Sequence, residues 1–493
     1  MSAPRGLAAP GRPRVLWFGR PPSAAVAREF THRGLTLAPM TGSPGLGVLR
    51  TARGAVFDLH DDAADTGDQL RRSGRELINH GLVLCVSAAD DAQQGLAAPF
   101  LAGLPSEHVE RRTAPADHVM SELLARHDPG PAFRADFQPT YATNVEPLGA
   151  EDLLLLGRAF HDCGPVVLDE MGGGLSGARV FCVHTTMGNS VGSWAQPLFA
   201  KLDRRDRVAR EGQNYRAAAP FIPFGLRPNV ERMVCGATRG LLVGNLVDKS
   251  ESPWDVARRG HAEQAIFNLF NTTLGGWRAQ GFRGSPLRGP VWPALVNAGI
   301  VTLGRVRDDY AAQVALRPLE IAARLTTLDQ RYRAGHIHGD LHAENVRVRG
   351  SDAILIDLAS AQHGPLVADL ALLETWLAFA LHKSEPTETY EDPAWREMIS
   401  GLYAPETFIS PPIPAEAGSR FGWVWETVRH VRTLAVATQS CSTEYQTAII
   451  AGLLRRGMFP SSCRADKYRR TVAYQVAVGL TQNIVEENVR RVA

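Results

Sequence analysis

The sequence predicts two fold classes in one chain: a doubly wound α/β domain, then an α+β domain. Three observations predict this. Residues 14–127 alternate short apolar runs with amphipathic stretches. A Gly-rich turn at residues 172–177 lies between two strand-like runs instead of opening a helix. From about residue 251 helical patterns dominate, around a polar segment at 336–357 dense in His, Asp and Asn. The expected organisation is a tail (1–13), an α/β domain (14–127), a linker (128–149), a strand-rich segment (150–250) and a mostly helical segment (251–493).

In the first domain, Val15-Leu16-Trp17-Phe18, residues 55–59 and residues 82–86 read as strands, and residues 24–33, 70–79 and 118–126 as helices. Strands alternating with helices imply a parallel sheet. By size and order the domain resembles the receiver domains of bacterial signalling proteins. Asp58 falls at the strand end where such domains accept phosphate, and Ser87 at their usual hydroxyl position. Two parts of the pattern are missing. Gly19-Arg20 follow the first strand where an acidic pair is expected, and Lys201, Lys249, Lys383 and Lys467, the four lysines, all lie outside the domain. Asp58 therefore reads as a strand-end carboxylate that caps a loop. The domain reads as a regulatory or protein-binding platform, so a protein partner is expected there. Asp128-Pro129-Gly130-Pro131 opens the linker.

The densest chemistry is His336-Ile337-His338-Gly339-Asp340-Leu341-His342-Ala343-Glu344-Asn345, followed by Ile354-Leu355-Ile356-Asp357 and, later, Asp369-Leu370-Ala371. Val346-Arg347-Val348 and Ile354-Leu355-Ile356 flank Arg349-Gly350-Ser351-Asp352, which reads as a hairpin. Asn345 then precedes its first strand and Asp357 follows its second, so both reach one end. A carboxylate and an amide oxygen suit Mg²⁺, a hard cation. An Asp five residues before such an Asn is the spacing of a phosphoryl-transfer site. A zinc reading of His336, His338, Asp340 and His342 fails, because Leu341 breaks the His-x-His-x-Asp-His spacing and the downstream Asn and Asp go unused. Asp369 is placed to cap or brace a helix over residues 368–381.

This segment resembles the aminoglycoside phosphotransferase and choline kinase-like families, whose pattern is His-Gly-Asp-Leu-His, two residues, then Asn. The resemblance implies a two-lobed protein-kinase-like fold. It implies that Asp340 meets the acceptor hydroxyl, that Asn345 and Asp357 hold Mg²⁺, and that ATP is the donor. The upstream lobe should then cover and neutralise the phosphates. Gly172-Gly173-Gly174-Leu175-Ser176-Gly177 fits Gly-x-Gly-x-x-Gly. In a dinucleotide-binding fold a helix would follow. Here Arg179-Val180-Phe181-Cys182-Val183 reads as a strand and residues 166–168 as another. Gly172, Gly174, Ser176 and Gly177 are the expected phosphate cover, since glycine allows close backbone approach. Lys201, inside the run Leu198-Phe199-Ala200-Lys201-Leu202, is the expected phosphate ligand. Glu211, on a helix over residues 207–218, is its expected ion-pair partner. Two further strands, 230–234 and 241–247, lead to Asn245 and Val247, the expected adenine contacts by order along the chain.

The remainder of the second lobe reads as helices over 254–275, 316–333, 423–439, 444–456 and 465–487, with residues 385–418 an irregular surface insertion. Arg429, Arg432, Arg455, Arg456, Arg469 and Arg470 read mainly as a solvated face, with contact to an anionic substrate as the alternative. A net charge of +2 gives no field for nucleic acid. No run of about 18 apolar residues predicts a membrane span, and residues 1–14 lack the apolar core of a signal peptide. Six cysteines occur singly, which fits a reducing cytoplasm without structural zinc. The Ala-, Arg- and Gly-rich composition fits a bacterial source. The expected function is ATP- and Mg²⁺-dependent phosphoryl transfer to a hydroxyl of an unidentified small molecule or protein. The fused first domain points to signalling or conflict, as in the similar ternary-complex-associated families. A catalytically silent nucleotide-binding scaffold is the alternative.

Overall fold

The computed structural model describes residues 13–60, 63–113, 118–142, 146–171, 177–187, 197–310, 315–381, 391–410, 412–414 and 418–492. The chain forms two compact units. One comprises Met1–Gly212 with Val230–Leu246; the other comprises Gln213–Asn229 with Val247–Ala493.

The first unit holds two sheets. The first is built from β1 (Arg14–Phe18), β2 (Thr36–Met40), β3 (Ala52–Asp58), β4 (Val83–Ser87) and β5 (Val109–Arg112). All neighbours are parallel and the order is β2-β1-β3-β4-β5, one of the two common doubly wound orders. Helices α1 (Ala24–His32), α2 (Leu46–Leu49), α3 (Ala63–Asn79), α4 (Asp91–Leu101) and α5 (His118–Arg126) accompany it. Alternate strand residues feed two cores: Leu16, Phe18, Phe57 and Leu84 in one, Val15, Trp17, Val56 and Cys85 in the other. A sheet buried on both faces explains the continuous apolar strands. The strands missing from the sequence reading are the edges. Pro39 interrupts one, and Val109-Glu110-Arg111-Arg112 forms the other, both normal at an edge.

The second sheet has the order β10-β11-β9-β8-β7-β6. Its members are β6 (Thr140–Tyr141), β7 (Cys163–Met171), β8 (Arg179–Met187), β9 (Leu198–Arg204), β10 (Val230–Cys235) and β11 (Arg239–Asn245). β6 runs parallel to β7 and the other pairs are antiparallel. Helix α6 (Ala150–Ala159) packs Leu155, Leu156 and Ala159 into this sheet's core, and α7 (Arg205–Ala218) follows β9. The stretch expected as linker supplies Phe137 to that core and β6 to the sheet. The two sheets are tied polar group to polar group. Asn79 Oδ1 accepts from Ala237 N at 2.7 Å, and the Arg158 guanidinium donates to Asn79 O, Pro129 O and Pro131 O.

The second unit is mostly helical. It contains α8 (Pro253–Arg258), α9 (Ala262–Asn268), α10 (Gly275–Arg283), α11 (Val291–Asn297), α12 (Pro318–Thr326), α13 (Ala368–Phe379), α14 (Pro393–Leu402), α15 (Gly422–Thr438), α16 (Glu444–Arg456) and α17 (Arg464–Val492). Three two-stranded ribbons sit among them: β12 (Leu287–Arg288) with β13 (Arg331–Tyr332), β14 (Ala334–Ile337) with β17 (Gln362–Pro365), and β15 (Val346–Arg349) with β16 (Asp352–Leu355). Two expected helices are shorter than read. The 254–275 stretch breaks at Gly260, whose φ is +76°, and the 316–333 stretch stops at Thr327. The 385–418 insertion is not wholly irregular, because α14 lies inside it with Asp392 accepting from Ala394 N and Trp395 N.

Candidate active site

In the second unit the His336–Asp357 segment folds as a loop between two ribbons. Val346 pairs with Leu355, and Ile356 N donates to Asn345 O at 2.9 Å, which extends the β15–β16 pairing by one step. Asn345 and Asp357 therefore leave the same end of the hairpin, as the sequence predicts. The Asn345 side-chain NH₂ donates to Asp340 O at 2.9 Å. That bond fixes the amide with its Oδ1 as the remaining acceptor and ties the first expected metal ligand to the expected base loop. Asn345 is buried at 8 % exposure.

Asp357 adopts the left-handed conformation, φ 57° and ψ 73°, one of two described non-glycine residues with positive φ. Such a conformation costs about 1 kcal/mol or more and persists only where surroundings impose it. Two restraints are visible. Ala359 N donates to Asp357 Oδ1 at 3.3 Å, and Asn214 Nδ2 on α7 donates to Leu358 O at 2.7 Å. The turn redirects the carboxylate at the point where the strand pairing ends.

Asp340 is held from three sides. His338 Nδ1 accepts from Asp340 N at 3.3 Å while its Nε2 lies 3.0 Å from Ile356 O, so the ring carries its proton on Nε2. Gly339 has φ +75°, and a Cβ there would lie 2.5 Å from Ser360 O, so only glycine fits between His338 and Asp340. Arg455, near the end of α16, donates from its Nη2 to Asp340 Oδ1 at 2.6 Å. Below the loop, Asp369 accepts from His338 N at 2.8 Å and Gly339 N at 3.0 Å. Burial pushes the Asp369 carboxyl above its ordinary range, opposed by His338 and these two backbone donors. Asp369 thus braces the loop rather than capping α13, whose N-cap residue is Val367.

The histidines are engaged elsewhere than in a zinc cluster. His336 packs against Phe221, Trp277 and His363. His342 stacks on Trp376, and burial holds its imidazole below the usual range. Among the described residues no three His, Cys, Asp or Glu gather as a metal cluster. Asn345 and Asp357 remain the pair whose oxygens suit Mg²⁺.

In the first unit, β9 carries Lys201 between Val180 on β8 and Leu242 on β11. Its Nζ lies 2.9 Å from Glu211 Oε2 on α7, and both side chains are nearly buried. The expected pair is therefore formed. Gly177 is described, with φ +74° and open space where a Cβ would stand; Gly172, Gly174 and Ser176 lie outside the described residues. Asn245 ends β11 opposite Leu198, and Val247, the first residue past the crossing into the second unit, accepts at its carbonyl from Ser250 Oγ.

Sequence reasoning missed Asn214 and the role of Asp369, and saw Arg455 only as one of six scattered arginines. Arg455 and Asn214 carried no local signal, since their partners lie 115 and 144 residues away. Asp369 stood out only as a helix-start carboxylate.

Asn345 and Asp357 thus leave one hairpin end, and Asn345 is tied to the loop that holds Asp340. Residues 283–396 match the model of the phosphotransferase enzyme family, a segment that contains Asp340, Asn345 and Asp357. Solved structures with some likeness include an aminoglycoside phosphotransferase from Streptomyces rimosus, at 18 % identity over 58 % of this chain and 97 % of that one, TM-score 0.30. An amicoumacin kinase in complex with AMP-PNP and Ca²⁺ has 11 % identity over 64 % and 88 % of the two chains, TM-score 0.30. A choline kinase from Cryptosporidium parvum has 10 % identity over 66 % and 88 %, TM-score 0.29. No curated protein matches the chain. The family model therefore bears on the segment that the motif singled out, and the resemblance read from His338-Gly339-Asp340 is shared with it. No helix among the described residues is long and apolar enough to cross a membrane.

Proposed function

We propose that the chain is an ATP- and Mg²⁺-dependent phosphotransferase that moves the γ-phosphoryl group to a hydroxyl of its acceptor. The observation that carries the reading is the Asn345 side chain, whose amide nitrogen is tied to Asp340 O while its backbone continues the hairpin that ends at Asp357. This linkage of the Asp340 loop to the hairpin end supports reading Asp340 as the base and Asn345 and Asp357 as the metal ligands.

Asp340 accepts the hydroxyl proton as the acceptor oxygen bonds to the γ-phosphorus and the bond to the β–γ bridging oxygen breaks. Asn345 Oδ1 and the Asp357 carboxylate would hold Mg²⁺, which supplies charge neutralisation on the phosphate oxygens. Lys201, oriented by Glu211, would hold the α- and β-phosphates. Gly172, Gly174, Ser176 and Gly177 would cover them, and Asn245 and Val247 would line the adenine. The described part of the first domain, with its 2-1-3-4-5 parallel order, supports a receiver-like platform for a protein partner, and this association supports a role in bacterial cytoplasmic signalling or conflict. In it Asp58 is already engaged: its Oδ1 lies 2.5 Å from His60 Nδ1 and accepts from His60 N. That arrangement supports loop capping over phosphate acceptance.

A second reading, a silent nucleotide-binding scaffold, is favoured by one observation, the Arg455 guanidinium on Asp340. ADP release measured over a library of hydroxyl compounds, on wild type and Asp340→Asn, separates the two. Turnover by wild type with a loss of about 10²- to 10⁴-fold in the variant supports transfer. Nucleotide binding without any turnover supports the scaffold.

A further inference from the structure

We infer that Arg455 selects the acceptor, and that the acceptor carries an anionic oxygen group, a carboxylate or phosphate, near its reactive hydroxyl. The inference rests on the phosphotransferase reading and names the substrate class of that same site.

Arg455 is not simply a counter-ion that has drifted onto Asp340. Its Nη1 donates to two backbone carbonyls, Gly299 O at 3.2 Å and Ile300 O at 3.0 Å. These neutral acceptors anchor the guanidinium independently of Asp340 and leave Nη2 directed at Asp340 Oδ1, 2.6 Å away. The Arg455 side chain is 17 % exposed and that of Asp340 is 35 % exposed, so the pair opens to solvent on the carboxylate side. The planar fork of a guanidinium suits bidentate contact with a carboxylate or phosphate.

The neighbouring segment is of mixed sign, so the guanidinium of Arg455 itself carries the inference. The segment that receives Arg455 continues along the end of α16: Thr302 N lies on Met458 Sδ and Arg307 N donates to Gly457 O. Its sequence from Gly299 to Asp309 holds Arg305 and Arg307, followed by Asp308 and Asp309. Arg305 lies over Phe459, and Arg307 pairs with the exposed Asp309. The exposed Glu344 is the carboxylate nearest in sequence to Asp340. A polycationic acceptor brought to Asp340 would meet a guanidinium already in hydrogen-bond contact with it. An anionic group that takes the Arg455 fork instead releases Asp340 Oδ1, which then accepts the proton of the neighbouring hydroxyl. The ion pair becomes the acceptor-free form of the site, and the objection it raised to catalysis disappears.

The test is calorimetric, on the full chain loaded with Mg²⁺ and a non-hydrolysable ATP analogue. Glycerate and glycerol 3-phosphate serve as anionic probes, glycerol as the neutral probe and neomycin as the cationic one. The expected result is binding of an anionic probe, none of glycerol or neomycin, and a loss of about 10- to 100-fold in Arg455→Gln, partly restored in Arg455→Lys. Circular dichroism of each variant checks that it is folded. Equal affinity for glycerol or neomycin, undiminished anion binding by a folded Arg455→Gln, or no binding of any probe by the nucleotide-loaded protein overturns the inference. Failure of the nucleotide analogue itself to bind is a different result: it removes the phosphotransferase reading and this inference with it.

Discussion

Two buried ion pairs, one in each unit, differ in what surrounds them. Glu374 and Arg432 have fully buried side chains. Arg432 Nε donates to Glu374 Oε2 at 2.9 Å, Nη1 donates to Leu402 O and to Thr407 O and Oγ1, and Tyr445 donates its hydroxyl proton to Glu374 Oε2 at 2.7 Å. Phe408, Tyr403 and Tyr445 rings pack around the guanidinium. Lys201 Nζ lies 2.9 Å from Glu211 Oε2, with 10 % of the lysine side chain still exposed. The first pair is fully enclosed by protein partners. The second places a compact cation at the end of a flexible stem, at the edge of solvent. Burial alone thus says nothing about role; the two pairs differ in how completely the protein encloses them.

Breaking each pair should separate the two roles. Arg432→Ala leaves the fully buried Glu374 without its cation, with the Tyr445 hydroxyl as a neutral donor, so unfolding by denaturant should show a loss of about 3–5 kcal/mol. Lys201→Met should lower MgATP affinity by about tenfold or more, while its cost in denaturant unfolding stays below that of Arg432→Ala. Equal stability losses for the two would erase the distinction.

Glu444 sharpens the comparison through pH. Burial raises its carboxyl from 4.5 to about 7, opposed mainly by the backbone N–H groups of Ser440 and Arg333. The folded state holds this proton more tightly than the unfolded chain. Its contribution is fully present below about pH 4.5 and is lost as pH rises through about 7. Stability should therefore fall by up to about 3 kcal/mol between pH 5 and pH 8, a slope that Glu444→Gln should flatten. A pH-independent wild-type transition would contradict it. The smallest effect is expected at Asp58, where Asn should change stability by no more than about 1 kcal/mol. Loss of acyl-phosphate labelling on Asp58→Asn would instead give the first domain an active receiver site.

What was legible in the sequence follows distance along the chain. Asp340, Asn345 and Asp357 lie within 18 residues of one another, so hairpin geometry alone placed two of them together. Lys201 and Glu211 were legible because a strand and the next helix are neighbours in any such lobe. Arg455 was visible only as one of six scattered arginines, because its meaning depends on α16 reaching a loop 115 residues upstream. The break at Gly260 was hidden by amphipathic periodicity on both sides, although a glycine at φ +76° is a normal helix stop. Helix α14 was overlooked because the composition of residues 385–418 masked Asp392-Pro393, an N-cap followed by a first-turn proline.

The most direct measurement is calorimetric titration of the full chain with ATP, with and without Mg²⁺, on wild type and Asp357→Ala. The account predicts Mg²⁺-dependent binding by wild type and its loss in a variant that remains folded. Binding that ignores Mg²⁺ and survives Asp357→Ala, or no binding at all by wild type, would contradict the assignment of the hairpin end as the metal-nucleotide site.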